Sequence, residues 1–166
     1  MRVLVAFASK HGSTEEIAAT VGSALWDDGF RADVRNVDTV TGLNGYGAVV
    51  LGSAVYAGSW METALRFVRR HAQAMAPLPV WLFSSGPLGP VTDEHRRQPR
   101  ELDYLHDLLL PEGHEVFSGR LDMERLEFPE RMIMRAVHQT SADHRDWHAV
   151  RSWGKEIGFV LGHTHL

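Results

Sequence analysis

The stretch Ser9-Lys10-His11-Gly12-Ser13-Thr14 follows a short apolar run near the amino end of the chain. Its hydroxyl groups, its glycine and the free N–H groups at the start of a helix together suit a terminal phosphate. The dinucleotide pattern Gly-x-Gly-x-x-Gly and the P-loop ending Gly-Lys-Ser/Thr are both missing from this stretch, which favours a mononucleotide phosphate over a pyrophosphate. The alternative is helix capping alone, with Ser13 or Thr14 as the N-cap and Glu16 as a capping-box partner of Ser13.

The composition of the chain limits its class. With 166 residues, 44% of them hydrophobic, the chain can bury one sizeable core, and we expect a single domain over residues 1–166. The net charge of −4 gives no electrostatic reason to expect a nucleic-acid partner. Because the chain has no cysteine, a redox function needs a bound cofactor. The first apolar run is too short for a signal peptide or a membrane span, and we expect a cytoplasmic protein.

Apolar runs and helical patterns alternate along the chain. The apolar runs predict strands over residues 3–8, 48–51, 79–83 and 115–117, and an alternating stretch predicts an edge strand over residues 32–37. Apolar stripes predict four helices: Ile17, Val21 and Leu25; Met61, Leu65, Val68 and Ala72; Leu102, Leu105 and Leu109; Val150, Trp153, Ile157 and Val160. This order predicts an α/β fold with a doubly wound parallel sheet of five strands.

Two further loops follow strands of this sheet, at the edge where open α/β sheets bind ligands. The first contains the candidate ligand-binding residues Ser53, Ala54, Val55, Tyr56, Ala57 and Gly58. Its small residues allow close approach of the backbone, and Tyr56 or Trp60 can stack on a planar heterocycle. The alternative for Trp60 is a place in the core.

The second of these loops is rich in glycine and proline. Its candidate residues are Ser84, Ser85, Gly86, Pro87, Leu88 and Gly89. Backbone donors and acceptors in such a loop can bind the edge of a ring, whereas the alternative is a rigid turn without a ligand. Because three such loops follow three strands of one sheet, we predict a shared ligand site.

These three loops resemble those of the flavodoxins. Residues 9–14 resemble the phosphate signature Ser/Thr-x-x-Gly-x-Thr, and the other two loops match in order the pair that encloses the isoalloxazine ring. The resemblance implies a flavodoxin-like sheet of strand order 2-1-3-4-5 and non-covalent binding of FMN. It assigns the phosphate to Ser9, Lys10, His11, Gly12, Ser13 and Thr14, and the ring to the two sets given above. His11 departs from the pattern, since many flavodoxins have threonine there.

Within this group the chain resembles the menaquinone-dependent protoporphyrinogen dehydrogenases. The similar stretches are Phe67-Val68-Arg69-Arg70-His71, Gly119-Arg120-Leu121 and Phe128-Pro129-Glu130-Arg131-Met132-Ile133-Met134. The resemblance implies an FMN-dependent oxidoreductase acting on a porphyrinogen-like or quinone-linked substrate. Two alternatives stay open: an electron carrier between protein redox partners, and a binding domain without FMN.

An insertion of about residues 122–146 separates the fifth strand from the last helix. Residues 130–137 look like a short apolar helix, which either packs on the edge of the domain or contacts a partner, a quinone or a membrane surface through residues 128–138. Asp146 is the expected N-cap of the last helix. His144 and His148 have metal-site spacing but are better explained as surface residues, so no metal is expected.

No acid–base pair or nucleophile stands out in the sequence, and no catalytic residue is assigned. The stretch Asp93-Glu94-His95-Arg96-Arg97 is either a solvated loop or a specificity lip beside the flavin.

Overall fold

The computed structural model describes residues 1–86, 89–121, 129–130, 132, 142–143 and 145–164. Its central sheet contains five parallel strands: β1 (Arg2–Ala8), β2 (Arg31–Asn36), β3 (Ala48–Tyr56), β5 (Val80–Ser85) and β6 (Gly113–Phe117). They lie in the order β2-β1-β3-β5-β6, and the short strand β4 (Ser59–Trp60) folds back antiparallel on β3. With β4 set aside, this is the predicted order 2-1-3-4-5, and the α/β fold with a doubly wound sheet is confirmed.

Helices cover both faces of the sheet because successive side chains of each strand point in opposite directions. Val3, Val5 and Phe7 of β1 pack in one core with α1 (Ser13–Asp27) and α5 (Trp147–Thr164). Leu4 and Ala6 pack in a second core with α2 (Glu62–Met75) and α4 (Leu102–Leu109). The residues of both cores are at most 7% exposed. A short helix, α3 (Asp93–Arg96), follows β5 and leads towards α4.

Two predicted helix stripes are displaced in the structure. In α5 the buried position is Leu161, which is 2% exposed, and Val160 is 40% exposed. The buried residues of α2 are Ala64, Phe67, Val68, His71 and Met75. The buried face of α2 is centred one position before most of the predicted stripe, and at the end of α5 it lies one position after it. A shift of one position turns a helix face by about 100°.

Two strands run further than their apolar sequences indicate. Residues 53–56 belong to β3 and residues 84–85 to β5, so the prediction that they form loops was wrong. The Ser53 hydroxyl donates to the carbonyl oxygen of Ala54 and accepts a hydrogen bond from the Met61 N–H. Because other segments satisfy these buried hydroxyl groups, polar residues can extend a buried strand.

The insertion is attached to α1 by charged groups. Strands β7 (Arg120–Leu121) and β8 (Ala142–Asp143) pair antiparallel at its base. Arg145 is almost fully buried and binds the carboxylates of both Glu16 and Asp143. Hydrogen bonds from Arg145 lower the pKa of Asp143 to about 2, so that this carboxylate stays charged.

The last helix begins as predicted, with the Ala149 N–H donating to Asp146 at 3.1 Å. Within the insertion, Pro129, Glu130 and Met132 are helical; the rest of the predicted helix over residues 130–137 lies outside the described residues. His144 also lies outside them. Among the helices of the described ranges, none has the length and apolar character to cross a membrane.

Candidate functional site

Three segments meet at the carboxyl edge of the sheet because β1, β3 and β5 are neighbours. The register pairs Ala8 with Ser53, and Ala54 with Ser85. The predicted phosphate loop (residues 9–14, called the phosphate loop below), the hairpin turn between β3 and β4 (residues 56–59) and the described start of the third loop (residues 84–86) therefore lie at the same edge of the sheet. The structure thus brings the predicted site residues together, apart from Pro87 and Leu88, which lie outside the described residues. Their contacts with a ligand stay a prediction.

The phosphate loop leads into α1, whose first turn has no side-chain cap among the described residues. Gly12 is the N-cap of α1 with φ of 86°, and no side chain of the described residues caps the helix there. The prediction that Ser13 or Thr14 is the N-cap was therefore wrong, and the Glu16 carboxylate binds Arg145 instead. The Gly12 N–H donates to the Ser9 hydroxyl at 3.0 Å. The first N–H groups of α1 are thus available to an anion such as phosphate.

Glu130 of the insertion lies against the phosphate loop. The Lys10 ammonium donates to Glu130 at 2.6 Å, and His11 Nε2 lies 3.1 Å from its other oxygen. The hydrogen bond from Lys10 lowers the pKa of the Glu130 carboxyl. Charge on Lys10 is therefore balanced by a carboxylate of the protein, and an anion at this loop would be bound by backbone N–H and hydroxyl groups.

Tyr56 connects the phosphate loop with the hairpin turn. Its ring lies edge-on to the His11 ring, with 6.5 Å between centroids, and it stays 42% exposed. Partial burial and the nearby Glu130 carboxylate raise the pKa of Tyr56 to about 12. The phenol is therefore neutral at physiological pH and offers a flat face beside both segments.

Trp60 belongs to the core, which was one of its two predicted places. It is 3% exposed, and its indole N–H donates to the Ser84 hydroxyl at 2.8 Å. That hydroxyl lies 2.8 Å from Nε2 of His114. Burial lowers the pKa of His114 to about 4, so the neutral imidazole can accept a hydrogen bond from the Ser84 hydroxyl. Sequence reasoning missed His114, because nothing near it in the chain indicates this partner.

Arg100 holds the hairpin turn from a distant part of the chain. Its backbone N–H donates to the Gly58 carbonyl and its guanidinium to the Ala57 carbonyl, both at 2.8 Å. Both turn residues have positive φ, 49° at Ala57 and 78° at Gly58. Such a turn needs outside support, because a non-glycine residue with positive φ is strained. Sequence reasoning missed Arg100 as well.

A cavity of about 240 Å³ opens between the hairpin turn, the third loop and α3. Its described walls are Val55, Ala57, Gly58, Ser84, Gly86, Glu94, His95, Gln98 and Val116. A Cβ atom on Gly86 would lie only 3.1 Å from the Val55 carbonyl oxygen, so bare backbone approaches the cavity closely there. The stretch 93–97, predicted as a loop, is largely the helix α3 and is exposed apart from His95. Glu94 and His95 border the cavity, and a role as a specificity lip stays a prediction.

These features fit a ligand with a phosphate and a flat ring system. The uncapped start of α1 supplies donors for the phosphate. At the same edge of the sheet, the smaller cavity combines backbone walls at Ala57, Gly58 and Gly86 with polar side chains, as a heterocycle with an apolar body and a polar edge requires. FMN has this combination, and residues 9–14 together with the two loops are the residues that would hold it.

Comparison with known proteins agrees with this interpretation. The model of the flavodoxin domain matches residues 4–147. The protoporphyrinogen IX dehydrogenase (quinone) of Escherichia coli K12 is 25% identical over 176 residues, covering 96% of each chain. A flavodoxin from the domain Archaea superposes with a TM-score of 0.65 at 14% identity, covering 98% of this chain and 100% of its own. Flavodoxin 1 from Bacillus cereus superposes with a TM-score of 0.57 at 16% identity, covering 100% of this chain and 99% of its own.

The family model covers most of the chain, and the sheet order agrees with a flavodoxin fold. The chain therefore belongs to the flavodoxin domain family, whose cofactor, FMN, it binds.

Proposed function

We propose that this flavin-type oxidoreductase or electron carrier is an enzyme that oxidises a porphyrinogen-like substrate and passes the electrons to a quinone. The observation that carries the proposal is the similarity to protoporphyrinogen IX dehydrogenase (quinone) over 96% of both chains. Bound FMN supplies the redox chemistry by taking up a pair of electrons and releasing them to the next acceptor. The protein positions the ring, through the hairpin turn and the third loop, and limits the access of water.

A second cavity supports an enzyme with a substrate of its own. Its volume is about 570 Å³, and its walls include Pro90, Val91, Arg96 and Phe117. Val116 lines both cavities. A volume of this size suits an organic ligand of several rings. The walls combine apolar residues with Ser118, Arg96, Glu115 and Asp146. Arg96 is the basic group there that can bind a propionate of a tetrapyrrole.

The redox roles can be assigned by anaerobic mixing. We expect protoporphyrinogen IX to bleach the flavin absorbance of the purified holoprotein, with porphyrin fluorescence appearing, and menadione to restore the absorbance. If the porphyrinogen leaves the flavin oxidised while a protein reductase reduces it, the enzyme proposal is wrong.

A variant tests the second cavity. Arg96→Gln should lower kcat/KM for the porphyrinogen about tenfold, since a charge-assisted hydrogen bond to a propionate is lost. Arg66→Gln, which removes the same charge from the exposed surface of α2, is the matched control. Equal kcat/KM values for the two variants would contradict this place for the substrate.

Electron transfer between proteins is the second candidate function. It is favoured by the similarity in fold to flavodoxins along the whole chain. A carrier would exchange electrons with a protein reductase and a protein acceptor, and it would discriminate little between small substrates.

The predicted membrane-surface contact of residues 128–138 stays a prediction. Of these residues, the structure describes Pro129, Glu130 and Met132, and the Met132 side chain is 52% exposed.

A further inference from the structure

Gln98 lines the smaller cavity together with the hairpin turn and the end of β5. We propose that Gln98 binds the pyrimidine edge of the FMN ring system, as a cofactor-binding residue outside the three loops. The proposal rests on the cofactor site described above and adds a specific contact to it.

The backbone on both sides of Gln98 is held in place. Before it, α3 begins with a capping box between Thr92 and His95, and the Gln98 N–H donates to the His95 carbonyl at 3.1 Å. After it, Pro99 is buried and Arg100 forms its paired hydrogen bonds with the hairpin turn. A wall residue fixed in this way binds a ligand with little loss of conformational freedom.

The amide of Gln98 stands close to the turn. A Cβ atom on Gly58 would lie 3.8 Å from Gln98 Nε2, so the amide and the bare backbone of the turn border the same space. Within the described part of the chain, no hydrogen bond from this half-buried amide to protein is found. A half-buried amide has donors and an acceptor that need partners.

The chemistry of the amide matches the imide edge of a flavin. A glutamine presents a carbonyl acceptor and an N–H donor side by side. The flavin pyrimidine presents an N–H donor between two carbonyl acceptors, so paired hydrogen bonds form as they do when glutamine binds adenine.

The other polar walls match this edge less well. The Ser84 hydroxyl is engaged by Trp60 and His114. His95 Nδ1 accepts a hydrogen bond from the Thr92 N–H. The Glu94 carboxylate, when ionised, has acceptors only. Among the described walls, Gln98 is therefore the side chain that offers a donor and an acceptor together.

The test compares two flavins on the apoprotein. Titration with FMN and with FMN methylated at N3 gives dissociation constants for the unaltered protein, for Gln98→Met and for the control Gln73→Met on the exposed surface of α2. We expect Gln98→Met to weaken the binding of FMN about tenfold, because the paired hydrogen bonds are lost. The same substitution should leave the binding of methylated FMN unchanged. Gln73→Met should change neither.

Different results would show that the role of Gln98 is wrong and that the cofactor site on which it rests is wrong. If Gln98→Met binds FMN as tightly as the unaltered protein, or weakens both flavins equally, the role of Gln98 is wrong while the FMN site stands. If the unaltered protein binds riboflavin as tightly as FMN, the phosphate loop itself is wrongly assigned. Thermal unfolding followed by circular dichroism establishes that each apoprotein variant is folded.

Discussion

Gly12 determines the backbone path from β1 into α1. With φ of 86° it adopts a left-handed conformation, in which a side chain is strained. Gly12→Ala should therefore lower the free energy of unfolding by about 1 kcal/mol. It should also weaken FMN binding, because the first N–H groups of α1 follow directly on this residue. Chemical denaturation of the apoprotein and titration with FMN measure the two effects separately.

Gly29 provides a matched control at the other end of the same helix. Its φ is +90°, and a Cβ atom there would meet no other atom within 4 Å. Gly29→Ala should thus lose a similar amount of stability from backbone strain alone, with FMN affinity unchanged. Equal FMN affinities in the two variants would mean that the conformation of Gly12 does not position the phosphate donors.

At the scale of the elements, α1 and α5 pack closely through a glycine. A Cβ atom on Gly154 would lie 2.8 Å from the Ala24 Cβ and 3.3 Å from the Val21 carbonyl oxygen. Gly154→Ala should therefore lower the free energy of unfolding by about 1 to 3 kcal/mol, because the two helices must move apart. Denaturant titration of the apoprotein gives this difference.

A glycine-to-alanine substitution elsewhere in α5 should have the opposite effect on stability. A Cβ atom on Gly162 meets nothing within 4 Å, so Gly162→Ala should raise the free energy of unfolding by up to about 1 kcal/mol through helix propensity. A loss of stability in both variants would show that helix packing at Gly154 is not the cause of its effect.

For the whole molecule, the buried His71 and the half-buried His114 make stability depend on pH. Burial lowers the pKa of His114 from 6.5 to about 4 and lowers the pKa of His71 as well. The unfolded chain binds a proton at His114 below pH 6.5, whereas the folded chain binds it only near pH 4. Stability should therefore be complete above pH 6.5 and fall as the pH falls towards 4, by at most about 3 kcal/mol for His114.

Denaturation across this pH range tests the assignment. His114→Gln keeps an acceptor for the Ser84 hydroxyl and should flatten the pH dependence, leaving the part due to His71. His148→Gln, which changes an exposed histidine, should leave the curve as it is. An unchanged curve in His114→Gln would contradict the neutral, buried state of that imidazole.

Much of the fold could be predicted because its signals are local. Continuous apolar runs indicated the buried strands, and the alternating stretch over residues 32–37 indicated the edge strand β2. The boundaries were less predictable. β3 and β5 extend into serine-containing stretches because Met61, Trp60 and His114 supply hydrogen-bond partners for Ser53 and Ser84. None of these pairings is visible in a local pattern.

The sequence by itself determined the buried strands and the parallel sheet that they form, because apolar periodicity and turn residues act over a few positions. The strand order followed from the resemblance of the three loops to those of flavodoxins. Only the tertiary structure decided that Trp60 enters the core and that Tyr56 stays at the site. It also placed Arg100 on the hairpin turn, and Gln98 in the cavity beside it. These decisions depend on hydrogen bonds and burial between distant segments, which exist only once the chain has folded.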